Sequence, residues 1–209
     1  MVAGCGKSTQ MPSFILEHEL SNGRACKIYT TEPRRISALT LAQRVSQELG
    51  ENKRDLGTIR SLIGYAIRLE SQVASSTRLV YATTGIVLRM LESPQGFADV
   101  THIIIDEVHE RSIETDFLLV ILRTLLERRP ELKAVLMSAT VDAEKFSKYF
   151  GGAPILNVPG RTFPVKRLFL EDAIETTGHI SETNDEDQAA DDEVDSDSEG
   201  QRGDQSVGA

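Results

Sequence analysis

The 209-residue chain is long enough to bury a sizeable core and suits one α/β domain followed by a tail. Its formal net charge is −9, but residues 181–209 hold eleven acids against one arginine, which leaves about +1 for residues 1–180. The overall acidity therefore does not exclude a nucleic-acid partner. Two cysteines cannot form a disulfide framework, and no run approaches the about 18 apolar residues of a membrane span. We expect a cytoplasmic protein, or alternatively a nuclear one, with no membrane partner.

Strands alternate with helices along residues 1–180, which predicts a mostly parallel, doubly wound sheet with helices on both faces. The predicted helices cover residues 7–20, about 33–49, 86–92, 117–128 and 142–150. The predicted strands cover residues 27–31, 63–68, 78–82, 103–105, 133–137, 154–158 and 165–170. Pro12 should loosen the first helix, because proline has no N–H to donate. Residues 181–209 are too acidic and too poor in apolar side chains to fold, so they should form a disordered tail.

The first predicted helix follows a glycine-rich segment, Gly4-Cys5-Gly6-Lys7-Ser8-Thr9. Glycines let the backbone approach a polyphosphate closely, and the N–H groups at a helix N-terminus bind anions. A lysine at this position would neutralise phosphates, and the serine hydroxyl would be a Mg²⁺ ligand. The segment therefore predicts a phosphate-binding loop, although a Gly-Lys-Ser tripeptide alone is common by chance.

Three isoleucines at 103–105 are typical of a buried parallel strand, and Asp106 and Glu107 follow directly. Open α/β sheets bind their ligands at this end of the strands. The aspartate could hold Mg²⁺ and the glutamate could orient or deprotonate a water molecule. Alone, the pattern also fits a strand that meets a solvated loop. Together with the glycine-rich segment it predicts a P-loop nucleoside triphosphatase.

The start of the chain departs from the usual phosphate-loop pattern. Met1 stands where a glycine is expected, and only Val2 and Ala3 precede the glycines where a buried strand would be expected. The chain therefore either begins inside a longer protein or lacks a central strand. We expect a fragment that is truncated at the phosphate loop.

Cationic residues also occur at the predicted ligand edge. Arg34 and Arg35 open the second predicted helix, where the helix dipole disfavours cations. They are either simple surface charges or contacts for an anion such as a nucleic-acid phosphate. Thr83-Thr84-Gly85 forms a second strand-to-helix turn that could hold phosphates, and Arg89 lies on the helix that follows.

Six segments, in this order, resemble motifs of the DEAH/RHA-like family of superfamily 2 RNA helicases: GCGKSTQ, TEPRRISALTLAQRV, Gly64-Tyr65 with Ile67-Arg68, TTGIVLR, DEVHERS and MSAT. The resemblance covers residues 1 to about 178 and implies the first of two RecA-like domains of a helicase motor. We therefore expect a RecA-like ATP-binding domain at 1–180 and a tail at 181–209. Val108 gives DEVH instead of DEAH, which changes no liganding atom.

The resemblance also implies roles for individual residues. The nucleotide would be bound by Gly4, Cys5, Gly6, Lys7, Ser8, Thr9 and Arg44, with Arg44 stacking on the base, so that several NTPs are tolerated. Mg²⁺ would be held by Ser8, Asp106 and Glu107. Glu107 would also position the hydrolytic water, and the implied catalytic residues are Asp106, Glu107 and His109. RNA-backbone contacts would come from Arg34, Arg35, Thr84, Gly85 and Arg89. Coupling of hydrolysis to unwinding would involve Ser138 and Thr140.

The implied function is that of the ATP-binding half of an ATP-dependent RNA helicase. Its cofactors would be ATP, or other NTPs, and Mg²⁺. Its partners would be RNA, the second RecA-like domain of the parent chain, and a ribosome or ribonucleoprotein. An arginine finger is worth ~10³–10⁵ in rate and would come from the second domain, so we expect little or no turnover from these residues alone. The alternative is a truncated chain that binds RNA or nucleotide without turnover and acts as a regulator. A P-loop kinase is disfavoured, because a kinase does not need the Pro-Arg-Arg and Ser-Ala-Thr segments.

Overall fold

A computed structural model describes residues 6–93, 95–139, 143–158 and 166–178. The chain divides into two compact units, residues 1–162 and residues 163–209, and the sheet belongs to the first unit. The strands of this sheet are β1 (Ile28–Glu32), β2 (Ile63–Ile67), β3 (Glu70–Gln72), β4 (Leu79–Thr83), β5 (His102–Ile105) and β6 (Lys133–Leu136). The helices of this unit are α1 (Lys7–Ser21), α2 (Arg35–Glu48), α3 (Thr84–Leu91), α4 (Ile113–Arg128) and α5 (Ala143–Tyr149). Two short 3₁₀ segments cover Lys53–Asp55 and Val108–Glu110.

The six strands form one sheet in the order β3-β2-β4-β1-β5-β6. Strand β1 lies in the middle and pairs in parallel with β4 on one side and β5 on the other. Of the strand pairings among the described residues, only that of β2 with β3 is antiparallel. The chain continues from β1 and β4 directly into α2 and α3 at the carboxyl edge of the sheet. The prediction of a mostly parallel sheet is therefore confirmed.

Apolar side chains are buried on both faces of the sheet. Helices α1 and α2 cover one face and contribute Leu16, Ala38 and Val45 to a core that includes Ile104. Helices α3 and α4 cover the other face, whose core includes Ile103 and Ile105. Successive residues of a strand point to opposite faces, so the run of three isoleucines on β5 supplies both cores. The sheet is doubly wound, as predicted.

Two predicted strands at the end of the domain are wrong. Residues 153–158 have no regular secondary structure, and residues 166–169 are also irregular. The apolar side chains of residues 155, 156 and 158 are exposed, and β-branched composition alone does not make a strand without a pairing neighbour. In the second unit, residues Leu170–Thr177 form helix α6 instead. The Asp172 carboxylate caps the N-terminus of this helix by accepting a hydrogen bond from the Phe169 N–H at 2.9 Å.

Local hydrogen bonds explain two smaller differences. Helix α4 begins at Ile113, four residues before the predicted start, because the Ser112 hydroxyl accepts a hydrogen bond from the Thr115 N–H. Strand β3 was not predicted, since it is a short exposed edge strand. The predicted domain end at 180 and the predicted disordered tail at 181–209 lie outside the described residues. None of the helices within the described ranges is long and apolar enough to cross a membrane.

Candidate functional site

The central parallel strands end together at one edge of the sheet. Glu32, at the end of β1, is in register with Thr83 of β4, and Thr31 is in register with Ile105 of β5. A cavity of about 350 Å³ opens at this edge, and its lining includes Ser8, Glu32, Arg34, Glu107 and Glu110. The structure therefore brings the start of α1 and the acidic segment after β5 to the same cavity.

The phosphate-binding loop predicted from the sequence enters α1 through a left-handed residue. Gly6 has a φ of 80°, which favours glycine, and its carbonyl accepts hydrogen bonds from the N–H groups of Thr9 and Gln10 at 3.3 and 2.8 Å. Among the described residues no side chain caps this helix N-terminus, and its first turn holds no acid, so the terminus favours an anionic ligand. Gly4 and Cys5 lie outside the described residues.

Asp106 leaves β5 with one of its two carboxylate oxygens unpaired. The residue is 4% exposed. Its Oδ1 accepts a hydrogen bond from the Glu107 N–H at 2.8 Å, whereas the buried Oδ2 has no hydrogen-bond partner within the described part of the chain. An unpaired buried oxygen of this kind costs stability unless a cation, a water molecule or the proton of the neighbouring Glu32 carboxyl group satisfies it.

This unpaired oxygen fits an Mg²⁺ ion that arrives with a nucleotide. Within the described ranges, no group of three or more histidine, cysteine or acidic side chains is arranged to hold a metal on its own. Mg²⁺ does not need such a group, because it keeps several waters and commonly takes one or two carboxylates together with substrate phosphates. Ser8 and Asp106 are suitable protein ligands, and Glu107 lines the same cavity.

Glu107 occupies a strained backbone conformation. It has a φ of 51°, and Arg111, on the other side of Val108–Glu110, has a φ of 52°. Each left-handed residue that is not glycine costs about 1–2 kcal/mol. The turn is held by a hydrogen bond from the Val108 N–H to the Met137 carbonyl and by a two-point ion pair between Arg111 and Asp116. Backbone strain held in this way is typical of functional sites and fixes the direction of the Glu107 side chain.

The environment of Glu107 also changes its acidity. Burial and the neighbouring charge of Asp106 raise the pKa of its carboxyl group, and the charges of His109 and Lys7 oppose this shift. The influence of Lys7 shows that the first residue of α1 acts electrostatically on the acidic segment. A carboxylate with a raised pKa is a better proton acceptor than an ordinary one.

His109 connects the acidic segment with the end of β6. Its Nδ1 lies 3.2 Å from Oε2 of Glu107 and 3.3 Å from the backbone nitrogen of Ala139. A protonated Nδ1 can donate to Glu107, and an unprotonated Nδ1 can accept from the Ala139 N–H, but one nitrogen cannot do both at once. Ala139 lies between the predicted coupling residues Ser138 and Thr140, of which Thr140 is outside the described residues.

The predicted RNA-backbone residues lie at the starts of α2 and α3, two helices that follow neighbouring strands. Arg34 precedes α2, Arg35 is its first residue, and both are exposed. Thr84 is the buried first residue of α3, and the remaining two predicted residues, Gly85 and Arg89, are exposed one helical turn apart. Because β1 and β4 are neighbouring parallel strands that end in register, both helix starts lie at the carboxyl edge of the sheet. The Arg34 guanidinium pairs with Glu110 at 3.1 Å, at the rim of the cavity.

Arg44, the predicted base-stacking residue, does not line the cavity. Its Nε donates to Oε1 of Glu48 at 2.6 Å, and the other oxygen of Glu48 accepts from the Gln10 side chain at 3.0 Å. This carboxylate therefore holds Arg44 beside the first turns of α1. The predicted stacking role of Arg44 stays a prediction.

Sequence reasoning missed Glu32 as a residue of the site. It is 2% exposed, and its Oε1 has no hydrogen-bond partner among the described residues. Burial, the charges of Asp106 and Glu107 and a contact with the Asp106 carboxyl group raise the pKa of Glu32 to about 9. The available signal was an acid that ends a strand, which is the same signal that singled out Asp106.

The fold and the site together define an α/β domain in which the glycine-led start of α1 and the acidic end of β5 meet at one cavity. A family model described as DEAD/DEAH box helicase matches residues 1–148, and the chain belongs to that family. The resemblance stated from the motifs and the RecA-like fold class are confirmed.

Relatives of the chain are described as ATP-dependent RNA helicases. It is 53% identical over 186 residues to the ATP-dependent RNA helicase dhx29 of Xenopus laevis, covering 88% of this chain and 14% of that protein. It is 50% identical to the DExH-box ATP-dependent RNA helicase DExH1 of Arabidopsis thaliana, covering 87% and 18%. It is 49% identical to the putative ATP-dependent RNA helicase DHX57 of Homo sapiens, covering 86% and 13%. The chain thus spans less than a fifth of the length of these relatives.

The raised pKa of Glu32 predicts a pH-dependent stability of the metal-free, nucleotide-free protein. The folded pKa is about 9 and the unfolded value is 4.5, so between these pH values the folded state keeps a proton that the unfolded state releases. Stability should therefore fall as pH rises through this range, by up to about 1.4 kcal/mol per pH unit. Glu32→Gln has no titrating group at this position and should not lose stability in this way. The free energy of unfolding of Glu32→Gln should therefore rise relative to that of wild type as pH increases.

The measurement is urea unfolding with a chelator present, from pH 5 to 8.5. Glu17→Gln, at an exposed position of α1, is the matched control and should follow wild type at every pH. A stability difference between Glu32→Gln and wild type that does not change with pH would rule out the buried, protonated state of Glu32.

Proposed function

We propose that this chain is the ATP-binding half of an RNA helicase motor, which binds a nucleoside triphosphate with Mg²⁺ at the cavity and contacts an RNA backbone beside it. One observation carries the proposal above all. Ser8 at the start of α1 and Glu107 after β5 line the same cavity, and Asp106 beside Glu107 has an unpaired buried oxygen. Family membership and relatives described as ATP-dependent RNA helicases support the same conclusion.

Several polar groups in and beside the cavity have defined tasks in this proposal. The N-terminus of α1 and the Lys7 ammonium bind the β- and γ-phosphates. The Ser8 hydroxyl and the Asp106 carboxylate bind Mg²⁺, which when bound neutralises charge that develops on the phosphates. Glu107 orients the attacking water and accepts its proton. His109 relays the state of the site to the backbone at Ala139, because its Nδ1 can bond either to Glu107 or to the Ala139 N–H.

RNA binding is proposed for the two helix starts beside the cavity. The exposed guanidinium groups of Arg34 and Arg35, the N–H groups at the start of α3, and Arg89 can contact phosphates without reading bases. The ion pair between Arg34 and Glu110 places this surface in contact with the acidic turn that carries Glu107. A second RecA-like domain would complete the clamp and supply the arginine finger.

The alternative function, a chain that binds RNA or nucleotide without turnover, makes the same binding predictions. It differs in hydrolysis alone. RNA-stimulated ATP turnover by the 209 residues would exclude it, and it would also exclude our expectation that the second domain is required.

We expect Lys7→Ala to weaken binding of Mg²⁺ with a non-hydrolysable ATP analogue by roughly 10- to 100-fold, because it removes a charged partner of the phosphates. Isothermal titration calorimetry on the whole chain measures this change. Lys53→Ala is the matched control, since Lys53 is an exposed lysine of the loop that leads to β2. If wild type and both variants share one affinity, Lys7 has no part in the nucleotide site.

We expect Arg34→Ala/Arg35→Ala to weaken binding of single-stranded RNA and to reduce its salt dependence. Each lost contact with a single strand lowers the slope of log K against log salt by about 0.7, so the pair should lower it by about 1.4. Fluorescence anisotropy with a labelled oligonucleotide at four salt concentrations gives the slope.

The control is Arg54→Ala/Arg60→Ala, which removes two exposed arginines before β2, at the opposite edge of the sheet. It changes net charge equally and should leave the slope within error of wild type. Equal slopes for the two double variants would show that RNA is bound through general charge and not at the start of α2.

A further inference from the structure

Helix α1 has a gap in its hydrogen-bond ladder at the residue that is proposed to bind Mg²⁺. In an α-helix the carbonyl of each residue accepts from the N–H four residues later. The partner of the Ser8 carbonyl would be residue 12, which is a buried proline without an N–H. Even so, α1 is continuous from Lys7 to Ser21, so the predicted loosening of its first turn does not interrupt the helix.

The missing donor is replaced by a side chain of the sheet. The hydroxyl of Tyr81 donates a hydrogen bond to the Ser8 carbonyl at 2.9 Å. Tyr81 is fully buried on β4, between Thr30 of β1 and Tyr65 of β2 in the sheet register. Burial, followed by the charges of Glu32 and Asp106, raises the pKa of Tyr81 well above its usual range. Its O–H therefore stays a donor at every physiological pH.

This hydrogen bond connects the proposed nucleotide site with the proposed RNA site. At one end it holds the main chain of Ser8, whose hydroxyl is the proposed metal ligand. At the other end, β4 ends at Thr83 and α3 begins at Thr84, the turn proposed to contact RNA. A fully buried tyrosine ring cannot move independently of its strand, because the interior is close-packed. The position of Ser8 is therefore set by the strand that leads to the RNA turn.

We propose that Tyr81 is a positioning residue for the nucleotide-bound metal ion: its hydroxyl replaces the N–H that Pro12 lacks and so fixes Ser8 for Mg²⁺. This inference rests on the proposed function. It assigns to Tyr81 the Mg²⁺-dependent part of nucleotide affinity and not the phosphate contacts of Lys7 and the helix N-terminus.

The test compares Tyr81→Phe with wild type in binding a fluorescent ADP analogue, once with Mg²⁺ and once with a chelator. The substitution removes only the hydroxyl. We expect affinity without Mg²⁺ to change less than about twofold, and the gain in affinity on adding Mg²⁺ to fall by about 5- to 10-fold, the usual effect of one hydrogen bond. A general loss of structure would instead lower both affinities together.

Two further variants make the test specific. Tyr65→Phe makes the same change on the neighbouring strand, where the hydroxyl bonds to Glu70 and not to α1, so its Mg²⁺ dependence should equal that of wild type. Pro12→Ala restores the backbone N–H at position 12. Adding it to Tyr81→Phe should therefore recover the Mg²⁺-dependent gain to within about twofold, because the helical donor replaces the lost hydroxyl.

The outcomes separate this inference from the proposed function. If wild type shows no Mg²⁺-dependent nucleotide binding, the proposed function fails, whatever Tyr81 does. If wild type binds with Mg²⁺ dependence and Tyr81→Phe matches it, the proposed function stands and the role of Tyr81 is refuted. A loss in Tyr81→Phe that Pro12→Ala does not recover also refutes it, because the hydroxyl would then act elsewhere than on the Ser8 carbonyl.

Discussion

The structure depends on one electrostatic constraint: three carboxyl groups are held together at the carboxyl edge of the central strands. Glu32 and Asp106 are almost fully buried, each has an oxygen without a partner in the described part of the chain, and Glu107 lies beside them. Burial, and then the charges of the neighbouring acids, disfavour ionisation here, which raises the pKa of Glu32 and of Glu107. A divalent cation bound with a nucleotide would reverse this cost, so the site is arranged for a ligand and not for the stability of the empty protein.

The rest of the site holds this edge in place and connects it to its surroundings. The left-handed conformation of Glu107 is fixed by the bonds on either side of the turn, so the position of its carboxylate depends on β6 and on α4. Nδ1 of His109 lies within hydrogen-bond distance of both the Glu107 carboxylate and the backbone nitrogen of Ala139. Arg34, at the start of α2, pairs with Glu110 of the same turn. A change in the charge of the cavity therefore acts through direct contacts on the backbone at Ala139 and on Arg34 at the start of α2.

Much of the fold could be predicted from the sequence, because its strands are buried on both faces and its helices are amphipathic. The isoleucine run of β5 and the acids that follow it correctly predicted at which edge of the sheet the cavity lies. The failures occurred where tertiary context decides. Residues 154–158 have strand-like composition but no pairing strand among the described residues. Helix α6 depends on a cap by Asp172 that composition does not reveal. Glu32 and Tyr81 were missed as site residues because their roles arise from contacts with distant parts of the chain, which a linear pattern does not show.

The central claim is that Ser8 and Asp106 bind one and the same ion. A thermodynamic cycle of Ser8→Ala, Asp106→Asn and the double variant tests it most directly, with the Mg²⁺-dependent part of nucleotide affinity measured by calorimetry. If both residues serve one ion, either substitution should remove most of this affinity, and the double variant should lose little more than each single variant. Losses that simply add in the double variant would mean that the two residues act independently, and that no shared metal site exists at this edge of the sheet.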